Sequence, residues 1–222
     1  MILRLAVIGA GGHGREALTV ASRTGRYDAL VAVDDDPSAE DLARLERLGV
    51  PLLGGLDALV ADPGDHVIAI GDPSVRRTVA DHLDTAARAT TLVDPSAGIG
   101  SDVILDDGVM VFPGAICTTN VRVGRHSHVN CGAIVSHDCR IGAFVSVSPG
   151  VRLNGAALVE DGVFLGTGSI VLPGCRIGQD ARVGAGAVVR DDVEPGATVA
   201  GVPARPVDAA RVDAAPQADA TT

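Results

Sequence analysis

Tryptophan is absent from this chain of 222 residues, and rings of any kind are scarce: one tyrosine and three phenylalanines. Globular cores are usually built partly on aromatic side chains. A chain that is 46% hydrophobic yet has so few rings must therefore have a core too narrow to admit them. Basic charge is also short, with 18 Lys and Arg against 28 Asp and Glu for a net charge of −10. That balance excludes a basic face for nucleic acid. No apolar run approaches the ~20 residues of a membrane span. The opening MILRLAVIGAGG is apolar but ends in glycines and has no basic leader, so it reads as a buried strand and not as a signal peptide. The four cysteines, Cys117, Cys131, Cys139 and Cys175, show no C-x-x-C spacing. They read as small buried residues of a reducing, cytoplasmic compartment, neither a zinc site nor a disulfide frame.

What the chain does contain is a period of six. Steps of six from Ile99 to Val189 meet sixteen positions, of which fifteen are Ile, Leu or Val and the other is Cys117. Those three types make up only about a quarter of the chain. Four residues after each, from Val103 to Val193, every position is Val, Ala, Ser or Cys. Glycine follows the aliphatic residue at 100, 124, 142, 166, 178 and 184. One register held this long predicts a parallel β-helix with three hexads to a coil, a triangular prism of about five coils. One aliphatic residue per face points inward and stacks on its neighbour a coil away. The narrow corners take only small side chains, which accounts for the missing rings.

Before the repeat the pattern changes. Strand-like runs at 3–9, 30–33, 66–71 and 89–93 alternate with helix-like segments near 14–24, 38–48 and 73–83, which predicts a small parallel α/β sheet. The first strand enters GAGGHG (9–14), a G-x-G-x-x-G turn whose glycines let backbone approach a phosphate at a helix N-terminus. Gly11, Gly12 and His13 are its candidate contacts. Asp34 and Asp35, after the second strand, can hold a ribose or base edge, and Gly71 in GDPSVRR (71–77) forms a second lip. Arg76 and Arg77 are either part of that lip or a solvated helix face. Three readings of the turn stand side by side: a mononucleotide site for a nucleotide-linked substrate, an NAD fingerprint, and a purely structural glycine turn. Only half of a dinucleotide fold precedes the repeat, which favours the first.

The hexad pattern resembles the hexapeptide-repeat, left-handed β-helix family, and the handedness comes from that resemblance. With the Rossmann-like head, from GAGGHG through His137-Asp138 to GVPARPV (201–207), the chain resembles bacterial acetyltransferases of UDP- or GDP-linked amino sugars, with sialic acid O-acetyltransferases as near relatives. The resemblance implies a nucleotide-sugar-binding domain over 1–95, an acetyltransferase prism over 96–207 and a disordered tail over 208–222. It also implies a homotrimer with active sites between prisms, acetyl-CoA as co-substrate, and no metal.

That family places its catalytic histidine in an H-[DE] pair, here His137-Asp138 within IVSHDCRIG (134–142). An amine attacking a thioester must lose a proton, and a neutral imidazole is the suitable base near pH 7. The neighbouring carboxylate fixes the tautomer and supports the imidazolium. By the same resemblance Ser146, Gly155, Thr167 and Ala185 line the acetyl-CoA groove, with Ser146 standing where the family often has a second histidine. Arg205 and Arg190 are the candidates for a 3′-phosphate. His126 and His128 read as weaker candidates for the same cleft or as polar decoration, and His66 and His82 as structural residues. The rival readings are O-acetylation of a sugar or sialic acid, a non-catalytic sugar-nucleotide-binding protein, and a metal enzyme on His126, His128 and His137.

Overall fold

The computed structural model describes residues 3–83 and 88–208. The head alternates β1 (Arg4–Ile8), α1 (Gly12–Thr24), β2 (Ala29–Val33), α2 (Ala39–Arg47), β3 (Leu52–Gly54), α3 (Leu56–Ala61), β4 (Asp65–Ile68), α4 (Pro73–Leu83) and β5 (Arg88–Ala89). Its sheet runs β3-β2-β1-β4-β5, parallel at every pairing. Leu5, Val7, Ala32 and Val67 are fully buried, as parallel strands covered by helices on both faces should be. The short β3 and α3 carry too few residues to show a period in sequence. The run 89–93 is not one strand. Arg88–Ala89 ends the head sheet, and Leu92–Val93 (β6) already pairs with Met110–Val111 of the prism.

From β6 to Thr198–Ala200 each rung is a two- or three-residue strand paired in parallel with the strand one coil away, Ile116 to Ile134 and Cys117 to Val135, for example, and Arg205–Pro206 then pairs antiparallel with Thr198–Ala200. The chain is thus an α/β Rossmann-like domain followed by a left-handed parallel β-helix. The interior positions, such as Val111, Cys117, Val123, Val135 and Leu153, are fully buried. No aromatic residue stands in that interior cluster. Phe112 packs instead into the core it shares with the head, and Phe144 into the head's other core. The sequence expectation of a bore too narrow for rings holds.

The prism has three faces. One, bearing Met110, His128, Ser146, Phe164 and Arg182 outward, lies towards the head. The second presents Ile116, Ile134, Arg152, Ile170 and Val188. The third presents Arg122, Arg140, Leu158 and Arg176. His137 belongs to the corner between the second and third. Of the tail expected over 208–222, only Asp208 falls among the described residues.

Candidate active site

His137 follows the strand Ile134–Val135, whose Val135 is fully buried, so the chain turns outward at the corner and carries the imidazole with it. Its side chain is 63% exposed. His137 Nδ1 lies 2.7 Å from Asp138 Oδ2. Hydrogen bonds from the His137 ring first, and from the Asn120 amide second, hold the Asp138 carboxyl below the usual carboxylate range. An ionised carboxylate can only accept, so the tautomer this contact selects for the neutral ring has its proton on Nδ1 and its lone pair on Nε2. That is the arrangement a general base requires. The ring edge with Cε1 and Nε2 lies against Gly155, one coil further on at the same corner.

The second cluster is the glycine turn. Gly11 caps α1 without any side-chain hydrogen bond, leaving first-turn amides for an anion. The glycines of the turn differ in what they are for. A Cβ on Gly14 would stand 1.7 Å from the Gly9 carbonyl oxygen, so Gly14 serves helix–strand packing. Gly11 and Gly71 have nothing within 4 Å, and Gly12 only the end of Arg15 at 3.9 Å. Their missing side chains leave open space for a ligand. Asp34 braces the turn: its Oδ2 accepts from Ala10 N at 2.7 Å and its Oδ1 from Asp36 N at 3.1 Å. Asp35 Oδ1 accepts from Leu56 N at 2.8 Å, at the start of α3. A cavity of 430 Å³ opens beside Gly12, lined by Arg15, Glu16, Arg44 and Arg47. Its positive lining was not singled out in the sequence, because Arg44 and Arg47 reach Gly12 only through the packing of α2 beside α1.

The PglD N-terminal domain model matches residues 4–83, and the six-repeat bacterial transferase hexapeptide model matches residues 156–191. GDP-perosamine N-acetyltransferase of Escherichia coli O157:H7 is 30% identical over 152 residues, covering 66% of this chain and 67% of that protein. The acetyltransferase domain of PglB from Neisseria gonorrhoeae FA1090, solved with acetyl coenzyme A, superposes with a TM-score of 0.85. It is 30% identical, across 93% of this chain and 100% of that one. PerB from Caulobacter crescentus, solved with CoA and GDP-perosamine, gives a TM-score of 0.84 at 32% identity, across 94% of this chain and 99% of that one. The chain belongs to the hexapeptide-repeat sugar N-acetyltransferases.

In this sugar N-acetyltransferase several residues stand elsewhere than their sequence suggested. Ser146 does not line an open groove of its own chain. It is buried on the head-side face, donating to Gly71 O at 2.7 Å and accepting from Arg76 Nη2 at 3.0 Å. Arg76 is no solvated residue. It is fully buried, with Nε donating to His126 O at 2.7 Å and Nη2 to Phe144 O at 3.0 Å. Its Nη1 donates to the carbonyls of Ile70 and Gly71. Burial pulls its pKa down to about 9, which still leaves the guanidinium charged at neutral pH. Arg77 is also held, 3.2 Å from Asp180.

His126 and His128 are buried beneath the head, His126 stacked on Phe144 with centroids 5.3 Å apart. His128 Nδ1 lies 3.1 Å from His13 Nε2, while His13 Nδ1 lies 3.2 Å from Glu16 and its ring stacks on Phe112. Burial takes the His128 pKa well below its ordinary value and lowers that of His13. His126 and His128 therefore do not meet His137, which stands on an exposed corner, within this chain. His66 is buried and His82 is 3.6 Å from Asp57, both within the head.

Thr167 and Ala185 are exposed at the corner between the head-side and second faces, one coil apart, whereas Gly155 shares the corner of His137. Arg190 and Arg205 both lie 3.5 Å from Asp191 near the prism's end. No helix among the described residues is long and apolar enough to cross a membrane.

Proposed function

We propose that this chain transfers the acetyl group of acetyl-CoA to the amino group of a GDP-linked sugar, with His137 as general base, Asp138 as its orienting carboxylate, and a homotrimer as the working unit. The observation that carries the reading is the 2.7 Å contact between His137 Nδ1 and Asp138 Oδ2, which leaves Nε2 open at an exposed corner. The GDP carrier follows the relatives, PerB having been solved with GDP-perosamine.

In the reaction His137 Nε2 accepts a proton from the sugar amine as its nitrogen attacks the thioester carbonyl. The resulting imidazolium stays paired with Asp138. Collapse of the tetrahedral intermediate breaks the carbon–sulfur bond, and the proton held on Nε2 goes to the departing thiolate. The head supports nucleotide binding through the uncapped α1 N-terminus and the open space at Gly11, Gly12 and Gly71, with His13 held beneath the turn by Glu16 and His128. Asp35 has a carboxylate oxygen left for the base or ribose, while Asp34 holds the turn.

Two features support a trimer. The His137 side chain is 63% exposed at its corner, which leaves room for a second wall supplied by a neighbouring copy. The face joining the His137 corner to the Thr167 corner is largely aliphatic, with Ile116 40% exposed, which suits burial against copies of itself. In such a ring the Gly155 corner of one copy faces the Thr167 and Ala185 corner of the next, and acetyl-CoA lies between. The four free cysteines and a nucleotide-sugar substrate fit a cytoplasmic setting.

The deciding experiment is thiol release from acetyl-CoA with GDP- and UDP-linked amino sugars, using wild type and His137→Ala. Turnover with the GDP donor, lowered by roughly 10²–10⁴ in the variant, is the expected result. Undiminished turnover in His137→Ala would remove the base assignment, and acceptance of the UDP donor alone would overturn the choice of carrier.

A further inference from the structure

Asp138 has two carboxylate oxygens, and each has a single partner of a different kind. Oδ2 faces His137 Nδ1 at 2.7 Å, and Oδ1 accepts from Asn120 Nδ2 at 2.6 Å. Asn120 is eighteen residues earlier, one full coil down the same corner. Both residues have left-handed backbone, φ 50° at Asn120 and φ 64° at Asp138, and the Asp138 amide donates to Thr119 O at 3.2 Å. Asp102, one coil below Asn120, has the same backbone turn at φ 57° but no contact with Asp138. The corner therefore stacks three Asx residues, and the middle one turns its amide onto the carboxylate of the reactive pair.

We propose that Asn120 is a positioning residue for the acid–base pair, its side-chain amide holding the Asp138 carboxylate so that Oδ2 stays on the His137 ring. This rests on the reading of His137 as the base. The physical case begins with exposure. The Asp138 side chain is 49% accessible, so water competes for both oxygens and the carboxylate is free to rotate unless something holds it. Exposed polar pairs add little to folding stability, so the contact is not explained as a fold determinant. What it does supply is direction. An amide N–H on Oδ1 fixes the plane of the carboxylate, and a fixed plane keeps Oδ2 in line with Nδ1. A disengaged carboxylate would let His137 exchange between its two neutral tautomers, one of which has its lone pair on the wrong nitrogen. The side chain must present nitrogen and not oxygen, because an ionised Asp138 can only accept.

Asn120→Gly is the informative variant. Glycine keeps the left-handed backbone at no steric cost and removes the amide alone. Full-length protein labelled with ¹⁵N-histidine reports the tautomer directly, with the His137 signals assigned by their loss in His137→Ala. The expected result is a protonated Nδ1 and bare Nε2 in wild type and averaged tautomers in Asn120→Gly. With it should come a fall in kcat of roughly tenfold at unchanged KM for both substrates. Asp102→Gly, one coil away, should match wild type in both readouts. A wild-type tautomer pattern and a wild-type kcat in Asn120→Gly would overturn the proposal. If Asn120→Gly does not fold, Asn120→Ala removes the amide without adding a charge, at the cost of an alanine in left-handed backbone, and is read in the same way. An inactive wild type whose tautomer pattern still depends on Asn120 would support the positioning role while discarding the proposed reaction.

Discussion

The His137 ring occupies the space that a side chain on Gly155 would need. A Cβ at position 155 would stand 2.5 Å from Cε1 and 2.7 Å from Nε2. The glycine is not demanded by its backbone, since Gly155 is not among the positive-φ residues. It makes room for the imidazole edge that carries Nε2, the proposed base.

Gly155→Ala should therefore fold normally and fail catalytically. The added methyl pushes the ring from its place, and displacement of about 1 Å at a reacting group lowers rates by roughly 10²-fold. Melting temperatures of wild type and variant should agree, while kcat/KM for the sugar acceptor falls. Retention of full activity would mean that the reacting edge of His137 is not the one beside Gly155.

Two glycines of the nucleotide turn should separate binding from folding. Gly14→Ala forces a Cβ to 1.7 Å from the Gly9 carbonyl and should cost about 3 kcal/mol, lowering Tm by roughly 6–12 °C. Gly11→Ala meets open space and should change stability by no more than about 1 kcal/mol. Its methyl instead enters the phosphate's approach, so KM for the nucleotide sugar should rise with Tm nearly unchanged. Calorimetry and steady-state kinetics on the two variants check the contrast.

Acid should loosen the seam between head and prism. His128 is neutral and buried, with a folded pKa well below its ordinary 6.5, chiefly through burial and then through the nearby Arg76 charge. The unfolded chain binds the proton more readily, so stability is highest above pH 6.5 and falls as pH drops from there towards the depressed value. The slope from one such group approaches about 1.4 kcal/mol per pH unit. His13, also depressed by burial, adds to it in the same direction. Urea melts between pH 7 and pH 4.5 should show this decline, and His128→Gln should flatten it. An equal decline in the variant would place the acid sensitivity elsewhere.

The prism was legible in sequence because each face admits one inward residue per hexad, so burial writes itself as a period. The head was legible as alternation, except where elements were too short, as with Leu52–Gly54 and Leu56–Ala61. The His137-Asp138 contact was legible as a dipeptide. Ser146 and Asn120 show why the rest was not. Residues meet along the prism at multiples of eighteen, and Ser146, nine residues from His137, turns onto the face under the head. Asn120 lies a full coil from Asp138, a relation visible in sequence only once the coil length is applied to polar residues as well as to aliphatic ones. Arg76 stayed undecided between a ligand lip and a solvated face because two of its acceptors, the carbonyls of His126 and Phe144, carry no side-chain signature.

Repeats of this kind ordinarily lengthen or shorten without penalty, since one rung is equivalent to the next. Here the head keeps count. Arg23 reaches Asp94 at 3.2 Å below the first rungs, Arg76 reaches Phe144 midway, and Arg77 reaches Asp180 at 3.2 Å near the far end. Deleting one coil between Ser146 and Asp180 would leave the aliphatic register intact yet draw the upper anchor about 4.8 Å out of reach. The head thus acts as a gauge on the prism, and eighteen-residue growth is open only beyond Val183, ahead of the antiparallel pair Thr198–Ala200 and Arg205–Pro206 that closes the column.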